Sequence, residues 1–235
     1  MHADAFELPA GAEFYVALQR TAYQHPVNRW FRRFGMGARY DALLLPHIEK
    51  RRRPQIARQY RDEMARDYAA LRPHLPVEAT RILDIGCGLA GIEVFLHSHY
   101  AKTECRPEIH LFDKTEVTRI HYGLEAEGAF YNSLDLAVEF LASNGVDRGC
   151  LHTHDAGEGV IPDGPWDLVL SLISWGFHYP VSTYLDQVHE QLADDGRLIL
   201  DTRSGFDGRP LLETRFARVE PIFEGPGFTR VLATK

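Results

Sequence analysis

Arg81-Ile82-Leu83-Asp84-Ile85-Gly86-Cys87-Gly88-Leu89-Ala90-Gly91 is the stretch that decides the fold. An apolar run of strand length passes directly into a glycine turn, and a helix starts after it. The glycines supply the unusual dihedrals of such a turn and let a ligand approach the backbone with no Cβ in the way. Gly86, Gly88 and Gly91 satisfy G-x-G-x-x-G, which alone is a weak pointer to a nucleotide-type ligand.

Downstream of this loop, residues 109–113, 149–154, 167–171 and 197–201 repeat the pattern of residues 81–85. Each is a near-continuous apolar run, as expected of parallel strands covered on both faces. Helical segments fit between them. Leu134, Ala137, Val138 and Leu141 follow a cap at Ser133 and stop at Gly145, and Tyr184, Leu185, Val188 and Leu192 stop before Gly196. Alternating strands and helices predict an α/β, doubly wound sheet with right-handed crossovers. The tail differs: residues 218–223 and 228–234 flank Gly225-Pro226-Gly227 and read as a terminal hairpin.

Upstream of the loop the chain reads as helices. Phe14, Leu18 and Ala22 recur at spacing four, and Tyr40, Leu43, Leu44 and Ile48 form a second cluster. His25-Pro26 and Gly35-Met36-Gly37 supply breaks. A third helix is expected to start near Pro54, carry the stripe Ile56, Tyr60, Met64, Tyr68 and Leu71, and end at Pro73 and Pro76. One apolar stripe on a charged helix must lie against something larger. Residues 1–76 are therefore expected to be a helical extension or lid of the same domain, and residues 77–235 the ligand-binding body.

Composition narrows the classes. The 235 residues carry a formal charge of −7, which argues against general affinity for nucleic acid or anionic membrane. Residues 1–75 hold 13 Lys and Arg against 8 Asp and Glu, leaving the remainder at 13 against 25. The basic excess includes Arg29, Arg32, Arg33, Arg39, Lys50, Arg51, Arg52, Arg53 and Arg58. It reads either as a solvated helical face or as a funnel for an anionic or sugar-phosphate substrate. Cys87, Cys105 and Cys150 make no paired motif, so a reducing compartment is expected. With no signal-peptide pattern and no apolar run of spanning length, a cytoplasmic location is expected.

Asp84 sits at the strand end, two residues before the first glycine. A carboxylate there suits a cationic ligand and sits badly beside a pyrophosphate. On these residues the stretch from Arg81 onward resembles class I S-adenosylmethionine (SAM)-dependent methyltransferases. Residues 82–91 look like the family's first motif, and four further stretches match in order: residues 109–113, 152–156, 166–171 and 192–200. The resemblance implies a seven-stranded Rossmann-like sheet of order 3-2-1-4-5-7-6 with strand 7 antiparallel, SAM as cofactor and S-adenosylhomocysteine as product. It assigns cofactor contacts to Asp84, Gly86, Cys87, Gly88, Asp113 with Lys114, Asp155 with Ala156, and Ser171. Asp113 matches the acid that binds the ribose hydroxyls, and Asp155 the acid that meets the adenine amine. Both acids also read as ordinary helix N-caps.

Beyond the fourth strand, Trp175-Gly176-Phe177-His178-Tyr179-Pro180 crowds aromatics around the expected crevice. Methyl transfer to a hydroxyl needs alignment and a proton acceptor. His178 is the preferred base, with His154, His110 and His121 as rivals and a purely positioning role for His178 left open. Tyr179 would orient the acceptor, Trp175 would wall the pocket, and Arg51 and Arg52 would meet an anionic acceptor. No metal site is expected, since His152-x-His154-Asp155 overlaps the adenine position. The amino-methylating Asn/Asp-Pro-Pro-Tyr/Phe signature is missing after residue 170, which favours an oxygen acceptor.

Tyr131-Asn132-Ser133-Leu134 with residues 175–180 faintly resembles bacterial methyltransferases assigned to sugars and polysaccharides, and a small natural product is the alternative. Expected partners are thus a small molecule or glycan, with neither nucleic acid nor a membrane span, and a homodimer is left open. Two other classes stay open: an NAD-dependent oxidoreductase and a non-catalytic SAM-binding module.

Overall fold

Successive residues of each central strand join opposite cores, and that alternation builds the fold. In β1 (Arg81–Ile85) Ile82 faces one core while Leu83 and Ile85 face the other. In β2 (Glu108–Asp113) Ile109 and Leu111 face the first and Phe112 the second. The structure, a computed structural model, describes residues 6–20, 33, 45–103, 105–115, 132–206 and 208–235.

The remaining strands are β3 (Leu151–Asp155), β4 (Trp166–Ser171), β5 (Ser174–Tyr179), β6 (Leu192–Arg203), β7 (Arg218–Gly225) and β8 (Phe228–Thr234). Seven of them form one sheet in the order β3-β2-β1-β4-β6-β8-β7. Pairing is parallel from β3 through β6, and β8 runs antiparallel to both β6 and β7. Because the short β5 lies outside the sheet, this is the expected order 3-2-1-4-5-7-6 with its antiparallel member in place. The predicted hairpin is β7–β8.

One face of the sheet is covered by α1 (Ala12–Gln19), α2 (Leu45–Leu71), α3 (Gly91–Tyr100) and α4 (Leu134–Ser143), through Val16, Ile56, Leu96 and Phe140. The other is covered by α5 (Leu185–Gln191) and α6 (Gly208–Glu213), through Leu185, Val188 and Leu212. The stripe of α2 packs as its spacing predicts: Ile56, Tyr60, Met64 and Leu71 are buried in the core that holds Ile82, with Tyr68 packed against it. Truncating a large aromatic in such a core costs roughly 3–5 kcal/mol. A buried ion group reinforces the joint. The Arg230 guanidinium donates to Asp201 from Nε at 2.7 Å and to Asp67 of α2 from Nη2 at 3.0 Å.

Several boundaries differ from the sequence reading. Helix α2 begins at Leu45, so Pro54 lies inside it instead of at its start. Pro54 is exposed, and water on that side can meet the carbonyl that the missing N–H leaves open. Residues 148–150 form a 3-10 turn, so β3 starts at Leu151. In α1 the buried positions are Ala12, Glu13, Val16, Ala17 and Leu18, and Phe14 is only half-buried. Ala22, Tyr40, Leu43, Leu44, the two predicted breaks at residues 25–26 and 35–37, and Arg29, Arg32 and Arg39 lie outside the described residues, as does the side chain of Ile48. Among the described residues no helix is long and apolar enough to cross a membrane.

Candidate functional site

The carboxyl ends of β1, β2 and β4 open onto a cavity of about 620 Å³, closed from above by the end of α1 and one side of α2. That volume lies within the range of ~300–1,000 Å³ usual for small-molecule sites. The glycine turn forms its floor. A Cβ on Gly86 would stand 1.8 Å from Ser174 Oγ, and the residue has φ +77°, so no other side chain fits. Gly91 serves packing instead, since its Cβ would meet the Tyr60 hydroxyl at 2.3 Å. The third glycine of the motif thus seats α2 against α3.

Two acids flank the turn. Asp113, ending β2, accepts the Gly88 N–H at 2.8 Å through one oxygen and the Lys114 N–H at 2.7 Å through the other. Burial raises its pKa to about 6, against the pull of those two donors. Asp84, near the end of β1, is buried, and burial raises it to about 7. Against it stands Glu93, in the first turn of α3 and wholly enclosed. Burial first, then the Asp84 charge, pushes Glu93 well above the usual carboxylate range. The Asp84 charge thus disfavours ionisation of Glu93, as closely placed like charges do.

Of the residues read from the sequence, Asp84, Gly86, Cys87, Gly88, Asp113, Lys114, Ala156, Trp175, His178 and Tyr179 all line this cavity. Burial pushes the Cys87 thiol up, so it lines the wall as a neutral group. Trp175 is wholly enclosed and its indole N–H donates to the Val181 carbonyl at 2.9 Å, which holds the ring as a fixed wall. His178 lines the cavity and is exposed. Desolvation there, then the Arg203 charge, holds its pKa below 6.5, so the imidazole is neutral at pH 7. Tyr179 is shifted upward by burial, then by Asp113 and Tyr184, and stays a hydrogen-bond donor.

Four expected contacts fall elsewhere. Asp155 is exposed and does not line the cavity; its Oδ1 accepts the Gly157 N–H at 2.8 Å and caps the turn Ala156–Glu158. That is its alternative reading as an N-cap. Ser171 lies behind the wall, where its hydroxyl donates to the Ile85 carbonyl at 2.7 Å and accepts the Trp175 N–H at 2.9 Å. It staples β4 to β1 and fixes the start of β5. Arg51 is exposed and Arg52 Nε donates to Gln55 at 3.3 Å. Both precede Tyr60, the first cavity residue of α2, by more than two helical turns. Among the rival histidines, His110 and His154 are outside the cavity lining, and His121 and Tyr131 lie outside the described residues.

The sequence reading missed the contributions of the helical arm and of two buried polar groups. Tyr60, Glu63, Met64 and Asp67 of α2 and Gln19 and Arg20 at the end of α1 form the upper wall. Arg20 is held by Glu63 at 2.8 Å and lies over the Tyr60 ring. Glu63 and Asp67 are four apart, the one spacing that could have announced a polar row beside the apolar stripe. Asn132 lines the cavity, buried beside Asp113, where its amide helps hold the Asp113 pKa down, although neither amide atom makes a hydrogen bond of good geometry among the described residues. Such a group is an open invitation to a polar ligand.

No family model matches the sequence, and no curated protein matches it. Solved structures do. SibL, an S-adenosylmethionine-dependent methyltransferase in its apo form, is 16% identical with a TM-score of 0.55, covering 95% of this chain and 69% of that one. The T. thermophilus 16S rRNA N2 G1207 methyltransferase RsmC, solved with AdoMet and guanosine, is 16% identical with a TM-score of 0.50 over 71% of this chain and 41% of that one. The TehB-like SAM-dependent methyltransferase from Corynebacterium glutamicum gives 16%, 0.48, 77% and 97%. At these identities the likeness establishes the fold, which is the Rossmann-like methyltransferase fold.

Proposed function

We propose that the chain binds S-adenosylmethionine in this cavity and transfers its methyl group to an oxygen acceptor. The observation that carries the reading is the pair of acids on either side of the Gly86–Gly88 turn, Asp84 and Asp113, in one cavity. Acids on both sides repel a pyrophosphate and attract a cationic ligand. The residues fit the cofactor on three counts. Asp84, with Glu93 behind it, meets the ammonium of the methionine end, and Asp113 is placed to accept from ribose hydroxyls. The Asn132 amide, buried beside Asp113, supplies a further donor and acceptor there. Ala156–Glu158, rather than Asp155, would border the adenine.

When bound, the cofactor supplies an already activated methyl group. The protein then has to align the acceptor, exclude water and take a proton. His178, neutral at pH 7 and lining the cavity, takes the hydroxyl proton. Tyr179, held protonated, orients the acceptor oxygen, and Trp175 forms the rigid wall behind them. The acceptor is a hydroxyl of a sugar or polysaccharide, with a hydroxylated natural product as the alternative. Glu63 and Asp67 on the upper wall suit hydroxyl donors. Arg51 and Arg52 stand away from the cavity, and the wall's own cation, Arg20, is paired with Glu63.

Two substitutions test the division of labour. Asp113→Ala should weaken S-adenosylhomocysteine binding by roughly 10–100-fold, the loss of a charged hydrogen-bond acceptor. His178→Ala should lower kcat by roughly 10²–10⁴-fold with little change in that affinity, measured by transfer of a labelled methyl group to a panel of sugars, glycans and phenols. Equal loss of cofactor affinity in both variants would remove His178 from the base role.

A further inference from the structure

Outside the cavity, Glu108 and His110 alternate on β2 while His152 and His154 alternate on β3. Period two places each pair on one face of its strand, and the register sets His110 directly opposite His152. The rings stack, with centroids 4.5 Å apart for His110–His152 and 5.1 Å for His110–His154. His110 is 6% exposed. Its Nδ1 lies 2.9 Å from His154 Nε2, yet its Nε2 and that of His152 are buried with no hydrogen-bond partner among the described residues. The Glu108 carboxylate lies 3.7 Å from His110 Nε2. One ligand atom from each of Glu108, His110 and His152 falls within 4.8 Å of the others. Two orphaned imidazole nitrogens, one of them beside a carboxylate, are costly unless something completes them.

We propose that Glu108, His110 and His152 form a divalent transition-metal site of the zinc class. Two imidazoles and a carboxylate are a common donor set for zinc, leaving a fourth position for water. Donor atoms around a tetrahedral ion stand ~3.3 Å apart, and the Glu108 side chain, 52% exposed, can move in to close the set. The His110–His154 bond fits the role. A ligand imidazole that donates its other N–H to a neighbour has its tautomer and ring plane fixed, so His154 is a positioning residue. Arg81 Nε, 3.7 Å from Glu108 Oε2, is the cation that competes for the carboxylate. Its own fork is held by the carbonyls of Asp163 and Pro165. Neither His110 nor His152 lines the cavity. The ion would tie together the two strands whose far ends carry Asp113 and the Ala156 turn, so its role is to hold that edge of the sheet.

The test is calorimetric titration of the chelator-stripped full chain with ZnCl2, repeated with Co2+ by visible absorption. The expected result is one equivalent bound with micromolar or tighter Kd and a Co2+ spectrum of nitrogen and oxygen donors. His152→Ala and Glu108→Gln, both at positions less buried than His110, should each weaken that binding at least 10-fold, and His189→Ala should leave it unchanged. Circular dichroism confirms that the variants fold. Absence of stoichiometric zinc, or binding that survives either substitution at its wild-type strength, overturns the proposal. S-adenosylhomocysteine affinity is measured on the same samples, so failure of the metal site is read separately from failure of the cofactor site.

Discussion

At their carboxyl ends β2 and β3 present acids whose oxygens are already met by backbone N–H groups, from Gly88 and Lys114 for Asp113 and from Gly157 for Asp155. In their first halves the same two strands present imidazole nitrogens that nothing in the described chain meets. The difference separates two ways of making a site. The first is set by the backbone before a ligand arrives, so binding there costs little reorganisation. The second is a cluster of side chains that is complete only with an added group.

The sharpest way to break the first arrangement is at the turn itself. Gly86→Ala puts a methyl group 1.8 Å from Ser174 Oγ at a left-handed position. S-adenosylhomocysteine affinity should fall at least 100-fold, measured by calorimetry, while zinc binding at the other end of β2 stays unchanged. Loss of both would mean the two ends are one cooperative unit. A smaller effect comes from pH. Asp84 titrates at about 7, and its ionised form is the one that holds a cationic ligand. Affinity should therefore rise by up to roughly tenfold between pH 6 and pH 8. The apo protein should move oppositely. A carboxyl raised from ~3.9 in the unfolded chain to about 7 when folded contributes stability that is present below pH 4. That contribution is lost as pH rises towards 7. Melting temperatures with and without the ligand should thus diverge as pH rises, and parallel curves would show that Asp84 does not face the ligand's charge.

Much of this was legible because continuous apolar runs and a glycine turn report directly on backbone geometry. Residues 81–85, 109–113 and 167–171 mark their strands to within a residue, and the antiparallel hairpin follows from Gly225-Pro226-Gly227. What the sequence hides depends on long-range contact. Glu93 is one acid among many until α3 folds it against Asp84. Asp155 and Ser171 sit at positions where the resemblance implies ligand contacts, but a local turn engages Asp155 and the Ile85 carbonyl of the neighbouring strand engages Ser171. The stripe on α2 announced burial correctly. It could not announce that the next row, Glu63 and Asp67, would wall a cavity, because that depends on where the helix docks.

Titration of the purified chain with S-adenosylhomocysteine and, in parallel, with NADH separates the two cofactor classes. Micromolar binding of the first, weakened at least 100-fold by Gly86→Ala, and none of the second are expected. Binding of NADH in place of S-adenosylhomocysteine would contradict the proposed cofactor and make the Gly86–Gly91 turn a dinucleotide loop.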